Sequence, residues 1–322
     1  MRYKETVTKA GRDYVAEIEA KRQRLGHGAP PGAERVSTLS EAYKRSHTDR
    51  ELRRYFPVAL IATVEASVRF GLGRLIDRAP AAFESFVQSG WSRDQRFDPS
   101  ILTAVAGKRI TVGELLSHLR PINGVPDVAA AMSAALSADF LDAVSAIHDR
   151  WLVEIQGEPK APIIKDRAGV ISGLESAFRF RHILAHEAAP RVELSIEEGE
   201  RQLQSVAAFV NATEELVFQM TEPDAPLTQA DMNEQAARKL HSADQELSAV
   251  LGRAAETLDR KRLDLLRQSQ EEWLRYRDLQ SENEGLAFEG GSLRPTIHAN
   301  AHTDVTRARI KDLERLLIEW GK

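Results

Sequence analysis

The chain of 322 residues is longer than most single domains, so two domains are the natural expectation. Hydrophobic residues at 42% and charged residues at 29% are ordinary globular values and exclude wholesale disorder. A net charge of −4 leaves no global basic surface for nucleic acid, and the absence of cysteine excludes disulfides and thiolate metal sites.

The N-terminus carries no recognisable export signal. Its first residues are charged and lack the apolar segment of a signal peptide, and we expect no run of about 18 apolar residues that would span a membrane. We therefore predict a cytoplasmic protein without a membrane partner.

The first 54 residues are basic, with 13 Lys or Arg against 8 Asp or Glu. A stretch rich in Gly and Pro at residues 26–32 is typical of a turn or flexible linker. We predict that residues 1–36 form a basic N-terminal extension. It is either a solvated arm or an extension that follows the phosphates of a nucleic acid.

A long apolar helix is expected from Pro57 onward, with the proline in its first turn. This helix carries the carboxylate of Glu65 among apolar neighbours, where a charge requires a cationic or hydrogen-bonding partner. We expect Glu65 either to form an ion pair that fixes the packing or to orient an arginine of an active site.

Short helices are expected between residues 77 and 137, and two longer helices follow before residue 190. The first covers residues 138–156, where apolar residues recur at spacings of three and four. The second is capped by Asp166, runs through residues 178–187 and is ended by Pro190. Because residues 178–187 hold two arginines, two histidines and a carboxylate on an amphipathic helix, they are the candidate active site.

Arginine and histidine together supply the groups that metal-independent cleavage of RNA needs. Attack by the 2′-hydroxyl requires a base, an acid for the departing 5′-oxygen and a cation beside the phosphorane. Arg181 and His186 lie about 140° apart around an ideal helix, so one helix does not focus both on one phosphate. Two copies that face each other across a dimer would.

The segment from Arg181 to His186 resembles the signature of the HEPN superfamily of all-helical ribonucleases and nucleotide-associated domains. That signature is an arginine, four to six residues and a histidine, often with a polar residue directly after the arginine, here His182. The resemblance covers roughly residues 37–220, with Glu65 on the first long helix. It implies a site at a homodimer interface, with His186 as general acid/base, Arg181 as phosphate ligand and His182 as helper.

Two other interpretations of this segment stay open. His182 and His186 have the i, i+4 spacing of a metal-binding pair, although no third ligand has a recognisable spacing. The arginine and the histidines are alternatively structural, pairing with carboxylates and capping the helix. Arg179 and Glu187 are interpreted as surface or ion-pair residues.

A second domain, residues 227–322, is expected after a proline-containing linker at residues 221–226. Its pattern predicts three helices, at residues 231–258, 261–283 and 303–320. A glycine-rich turn at residues 289–292 is expected between the second and the third helix.

The second domain resembles the LprI-type lysozyme-inhibitor family. The resemblance rests on residues in all three helices and in the turn, namely Met232, Asn233, Leu247, Gln270, Trp273, Tyr276, Arg277, Asp278, Glu289, Gly290, Gly291, Ser292, Thr306, Arg309 and Leu313. Exported members carry cysteines where this chain has Gln235, Ser281 and Ala301. Their loss suits a cytosolic version, which would rarely meet lysozyme.

Most of these residues are expected to be structural. Trp273 would lie in the core, Arg277 and Arg309 would bond the turn or helix ends, and Gly290 and Gly291 would adopt conformations closed to other residues. The other interpretation is a partner or ligand surface near the turn that regulates the nuclease, formed by Trp273, Arg277, Glu289, Gly290, Gly291, Ser292 and Arg309.

The sequence thus predicts an all-α protein, a HEPN-like helical bundle followed by a small helical LprI-like domain. The leading hypothesis is a homodimeric endoribonuclease of toxin or phage-defence type that uses no metal or cofactor and leaves a 2′,3′-cyclic phosphate on RNA. An antitoxin or regulatory partner would control it. The alternatives are a non-catalytic module that binds a nucleotide or a partner, and an inhibitor or binding protein that acts through the second domain.

Overall fold

The computed structural model describes residues 11–25, 30, 32–90, 99–187 and 191–320. Over these residues the protein is all-α, as predicted, with one short π-helical segment and one isolated β-bridge. The chain divides into two compact units, Met1–Pro223 and Asp224–Lys322. Most of the expected turn at residues 26–32, and Pro190, lie outside the described residues.

Ten α-helices lie in the described part of the first unit: α1 (Gly11–Leu25), α2 (Gly32–Ser46), α3 (Arg50–Arg78), α4 (Pro80–Gln88), α5 (Pro99–Ala106), α6 (Val112–Leu119), α7 (Val125–Leu136), α8 (Phe140–Ala146), α9 (Arg167–His186) and α10 (Ile196–Thr221).

The first unit is organised around α3, which packs against α2, α6, α9 and α10. Its side chains Leu60, Ile61, Val64, Val68 and Leu72 are almost completely buried. Because neighbours surround it on several sides, the helix is apolar over most of its circumference and lacks the single apolar stripe of a surface helix.

The start of α3 was predicted wrongly, since the helix begins at Arg50 and Pro57 lies inside it. Asp49 caps the helix, with its carboxylate accepting the backbone N–H groups of Glu51 and Leu52. Pro57 lacks the N–H that a helical residue would donate to the carbonyl of Arg53, yet the helix continues through it. The capping aspartate, rather than the proline, sets the start.

By length and composition alone, α3 is apolar enough to cross a membrane, contrary to the expectation from the sequence. The bent pair of α7 and α8 passes the same test as one span. In α3, 56% of the apolar window is buried by the other helices. The core helix of a helical bundle shows the same burial.

The boundary expected at residue 36 lies inside a helix. Val36, in the middle of α2, is only 3% exposed and shares the core with Leu39 and Tyr43. The helix before it, α1, packs against α5 and α6 and buries Val15 and Ile18 there. The described part of the basic segment therefore belongs to the first unit, which corrects the expectation of a separate extension.

The single helix expected over residues 138–156 is also not observed. After α8 the chain becomes extended at Ile147, forms a bridge between His148 and Pro162, and makes a π-helical segment at Trp151–Ile155. Trp151 and Ile155 are 44% and 39% exposed. Their helical spacing therefore does not mark a buried face. For this reason the spacing of apolar residues predicted a helix that the structure does not contain.

The second unit consists of α11 (Gln229–Thr257), α12 (Arg260–Leu286) and α13 (Arg294–Trp320) in the described residues. Both α11 and α12 pack against α13, around a small core that contains Leu247, Leu266 and Leu313. The three predicted helices are present, although α13 begins nine residues before the predicted position, directly after the turn. Gly290 in that turn has a φ of +74°, as its predicted role requires, whereas Gly291 has no positive φ, so the prediction for Gly291 was wrong.

A close backbone crossing of α3 and α6 gives a stability prediction. A Cβ atom on Gly113 would lie 2.0 Å from the carbonyl oxygen of Gly73, and the Gly113 N–H donates to Asp77 at 2.7 Å. Gly113→Ala should therefore lower the free energy of unfolding by about 1–3 kcal/mol or more, the cost of overpacking. Urea unfolding followed by circular dichroism measures it.

Gly252→Ala is the matched control, because nothing lies within 4 Å of its missing Cβ in α11. This change should be neutral or stabilise by about 0.4–1 kcal/mol. Equal effects of the two substitutions would show that the crossing is not tight.

Candidate functional site

Helix α9 carries the candidate segment and is placed by its cap and its buried side. The Asp166 carboxylate accepts the backbone N–H of Gly169 at 3.0 Å, as predicted. Leu174, Ala177 and Phe178 turn into the core of the first unit. Arg179, Arg181 and His182 are thereby left on the more exposed side of the helix.

Arg181 meets Glu65 across the contact between α9 and α3. The Nη2 atom of Arg181 lies 3.4 Å from Oε1 of Glu65, and the two side chains are 31% and 24% exposed. The cationic partner that Glu65 was expected to need is therefore Arg181. A long, half-exposed ion pair stabilises a fold by only roughly 0.2–1 kcal/mol. The guanidinium keeps exposed surface that an anion can reach.

The two histidines differ in what the structure describes. His182 is exposed beside Arg181 on α9. The backbone of His186 is the last residue of α9, but its side chain lies outside the described residues. Among the side chains that are described, no group of three or more metal-ligating residues has a geometry that would hold a metal ion. The metal-pair interpretation stays open, since one of its two ligands falls outside that search.

Arg179 and Glu187 lie at the edge of the segment. The Arg179 guanidinium lies over the ring of Phe180 at 5.8 Å and donates to Ser176 Oγ at 3.5 Å. Glu187 is exposed and occupies the C-cap of α9.

Arg69 also lies beside Glu65 and was missed in the sequence. It follows Glu65 by four residues on α3, and its Nη1 donates to the backbone carbonyls of Ser117 and His118 at 2.7 and 2.9 Å. Burial lowers the pKa of Arg69, and the Glu65 carboxylate opposes that change. The i, i+4 spacing of the two charges was the available signal. No signal in the sequence indicated the hydrogen bonds from Arg69 to the end of α6.

A surface cleft of 580 Å³ lies elsewhere in the first unit, lined by Asp149, Leu152, Glu214, Glu215 and Phe218 among other residues. None of the predicted site residues lines this cleft.

In the second unit, Trp273 lies between two guanidinium groups. The Cζ atoms of Arg277 and Arg309 are 5.2 and 5.9 Å from the centre of its ring. Arg277 donates to Asp244 on α11 at 2.8 Å and to Thr306 on α13 at 3.3 Å, so it joins all three helices.

Arg309, the other arginine beside Trp273, also makes two hydrogen bonds. Arg309 donates to Gln270 Oε1 and to Ser269 Oγ, each at 3.1 Å. Both guanidinium groups therefore bond neighbouring helix side chains and not the turn, which corrects one expectation from the sequence.

The predicted partner surface separates into two parts. The turn residues Glu289, Gly290, Gly291 and Ser292 are exposed, whereas Trp273 is half-buried. Thirteen residues of α12 separate Trp273 from the helix end at Leu286, a length of about 20 Å.

Gln235, Ser281 and Ala301 are the positions where the resemblance to the LprI type places the cysteines of exported members. Ser281 on α12 and Ala301 on α13 are buried, and the Ser281 hydroxyl donates to the backbone carbonyl of Arg277 at 2.8 Å. The Gln235 amide donates to the backbone carbonyl of Asp224 at 3.3 Å.

Two histidines face α12 from α13. The rings of His298 and His302 are 4.7 Å apart, and Nε2 of His302 is buried 3.6 Å from Asp278 Oδ1, too far for a hydrogen bond. Burial, together with the charges of Arg277 and His298, lowers the pKa of His302.

This lowered pKa predicts sensitivity to acid. A histidine whose pKa is lower in the folded than in the unfolded chain stabilises the fold fully above its ordinary pKa of about 6.5. That stability is lost as the pH falls through the lowered value, because the fold must then accept a buried proton. The wild type should therefore lose more stability between pH 7.5 and pH 5 than His302→Gln does.

Thermal unfolding at both pH values measures this difference. His241→Gln, a change on the exposed surface of α11, is the control and should keep the wild-type response. A wild-type response in His302→Gln would contradict the assignment.

Comparison with known proteins assigns the second unit. Residues 221–313 match the family model described as lysozyme inhibitor LprI. An uncharacterized protein of Rhizobium meliloti (strain 1021) is 29% identical over an alignment of 114 residues that covers 31% of this chain and 82% of that protein. No solved structure matches the chain significantly. The C-terminal resemblance predicted from the sequence is confirmed, and the chain carries an LprI-type domain over residues 221–313.

Proposed function

We propose that the protein is a metal-independent endoribonuclease of the HEPN type, active as a homodimer, with the LprI-type domain as its sensor or regulator. The observation that carries the proposal is the contact of Arg181 with Glu65, which holds a partly exposed guanidinium beside the exposed His182. An arginine positioned by a carboxylate and accompanied by histidine is suited to the charge and proton transfers of RNA cleavage.

Three residues of the segment and Glu65 each have one role in this mechanism. Arg181 binds the phosphate and stabilises the charge of the phosphorane, and Glu65 positions the guanidinium. His186 transfers protons between the 2′-hydroxyl and the departing 5′-oxygen, and His182 assists. The 2′-oxygen forms the new bond to phosphorus as the bond to the 5′-oxygen breaks, which leaves a 2′,3′-cyclic phosphate.

A second copy is needed because Arg181 and His186 leave α9 about 140° apart. The side of α3 that leads to Glu65 supports such a contact. Tyr55, Val58, Ala62 and Glu65 follow one another at spacings of three and four residues, and Tyr55 is 66% exposed. This spacing is the one that paired helices use along their seam.

His186→Ala should lower the rate of RNA cleavage by about 10²–10⁴-fold, the usual contribution of a general acid or base, with folding and dimer size unchanged. Arg181→Ala should do the same, and His182→Ala should have a smaller effect. The measurement is cleavage of single-stranded RNA with EDTA present, with identification of the 2′,3′-cyclic end. His241→Ala, far along the chain on α11, is the matched control.

A composite site makes one further outcome part of this test. A mixture of Arg181→Ala and His186→Ala chains, after exchange of subunits, should recover about a quarter of wild-type activity, because a mixed dimer has one intact site. If the wild-type dimer cuts no RNA under any condition tried, the ribonuclease proposal fails. A nucleotide that raises the unfolding temperature of wild type and His186→Ala alike would instead favour the non-catalytic module.

The match to the LprI family favours a second candidate, an inhibitor or binding protein that acts through residues 221–313. The turn at the end of α12 is exposed and therefore accessible to a partner.

If this second function is correct, the full chain should slow lysozyme, and His186→Ala should inhibit equally well. Charge reversal in the turn by Glu289→Lys should weaken the inhibition, because that side chain is exposed in the turn. Cell-wall lysis by lysozyme, followed by turbidity, measures the effect. Full lysozyme activity in a molar excess of the protein excludes inhibition of that enzyme.

A further inference from the structure

The basic helix α1 is fixed to the first unit by polar bonds as well as by apolar contacts. Glu19 accepts two hydrogen bonds from Arg109, at 2.9 and 2.8 Å. Nε2 of His118 lies 3.1 Å from the Glu17 carboxylate, and Arg22 Nε donates to Glu114 at 2.8 Å. The carboxylates in the middle of α1 are thus all engaged with partners on other segments.

Two cations of α1 are left over by this arrangement. Neither Lys21 nor Arg24 makes a hydrogen bond or an ion pair with any described residue. Arg24 is exposed, but Lys21 is half-buried. A partly buried ammonium without a bonding partner has lost hydration and has gained no bond in return.

The surroundings of Lys21 connect α1 to the candidate site. Arg69 on α3 donates to the backbone carbonyl of His118, and the ring of His118 lies 3.1 Å from Glu17, one turn before Lys21 on α1. This chain of contacts brings the Lys21 ammonium near Arg69 and Glu65. Burial, followed by the charge of Arg69, lowers the pKa of Lys21 to about 8, although Glu65 opposes this change. The carboxylate of Glu65 therefore pairs with Arg181 directly, and its charge also acts on Lys21 and Arg69. One negative charge faces three positive ones.

We propose that Lys21 binds a phosphate of the RNA backbone next to the phosphate held by Arg181, which makes α1 part of the substrate site. This inference rests on the proposed ribonuclease function and extends its site from α9 to α1. The excess of positive charge around Glu65 calls for an anion, and a lysine ammonium is a point charge suited to phosphate. A bound phosphate would supply the bonds that the ammonium lacks.

The charged groups that face Lys21 decide how binding should depend on pH. They are Arg69 and Glu65 on α3, His118 on α6, and Arg24 on α1 itself. Burial lowers the pKa of His118, against the opposing effect of Glu17, and so favours the neutral ring. The arginines stay charged. Lys21 is the group in this set that loses its charge between pH 7 and pH 9.5.

The test measures how the full chain binds a single-stranded RNA with 2′-O-methyl groups, which cannot be cleaved because the attacking hydroxyl is blocked. Fluorescence anisotropy at pH 7 to 9.5 gives the affinity. Wild-type affinity should fall about tenfold as the pH rises, since one charge-assisted bond is lost. Lys21→Gln should bind about tenfold more weakly at pH 7 and show no fall. Lys21→Arg should keep its affinity at pH 9.5.

The salt dependence provides a second readout. Lys21→Gln should reduce the slope of log affinity against log salt by about 0.7, the value of one phosphate contact on a single strand. Lys44→Gln is the matched control, because it removes the same charge from an exposed position on α2. It should keep the pH response of the wild type. Circular dichroism melting confirms that each variant is folded.

The outcomes separate this proposal from the ribonuclease itself. If cleavable RNA is cut but Lys21→Gln binds like the wild type, the Lys21 site is wrong and the ribonuclease stands. If Lys21→Gln changes RNA affinity and its pH and salt dependence as expected but no RNA is cut, the phosphate site is supported and the ribonuclease proposal is wrong. Competition by inorganic pyrophosphate at the affinity of the RNA would overturn the assignment to a backbone phosphate. Absence of any RNA binding by the wild type overturns it as well.

Discussion

Burial of α3 on nearly all sides is the constraint on which the first unit depends. A helix of this kind tolerates charge only where neighbouring helices leave a gap, and each charge there requires a partner. Glu65 and Arg69 occupy such a gap, and their partners come from α9 and from the end of α6. The candidate site is therefore one of the places where the central helix of the unit departs from its apolar pattern.

Local signals in the sequence predicted local structure well. Asp166 was identified as a cap, and the glycine turn before α13 was placed correctly, because both depend on a few adjacent residues. The need of Glu65 for a cation followed from the cost of burying a carboxylate. That the cation is Arg181, on a helix more than a hundred residues later, was within the set of candidates but not determined.

Long-range structure accounts for what the sequence did not reveal. Residues 138–156 have helical spacing, yet pairing of His148 with Pro162 breaks the helix. No sequence motif marks Lys21. It joins the candidate site only because contacts of α1 with α5 and α6 bring it near Glu65. The start of α3 was predicted wrongly, because Asp49 caps the helix and Pro57 lies inside it.

The attachment of α1 has a consequence for the dynamics of the first unit. Val15 and Ile18 are its buried apolar side chains among the described residues, so little apolar burial holds α1 against α5 and α6. We expect a segment with so few buried apolar contacts to detach before the rest of the unit unfolds. Amide hydrogens of α1 should therefore exchange with solvent sooner than those of α3. Each detachment of α1 would also remove the Lys21 ammonium from the candidate site, and each return would restore it.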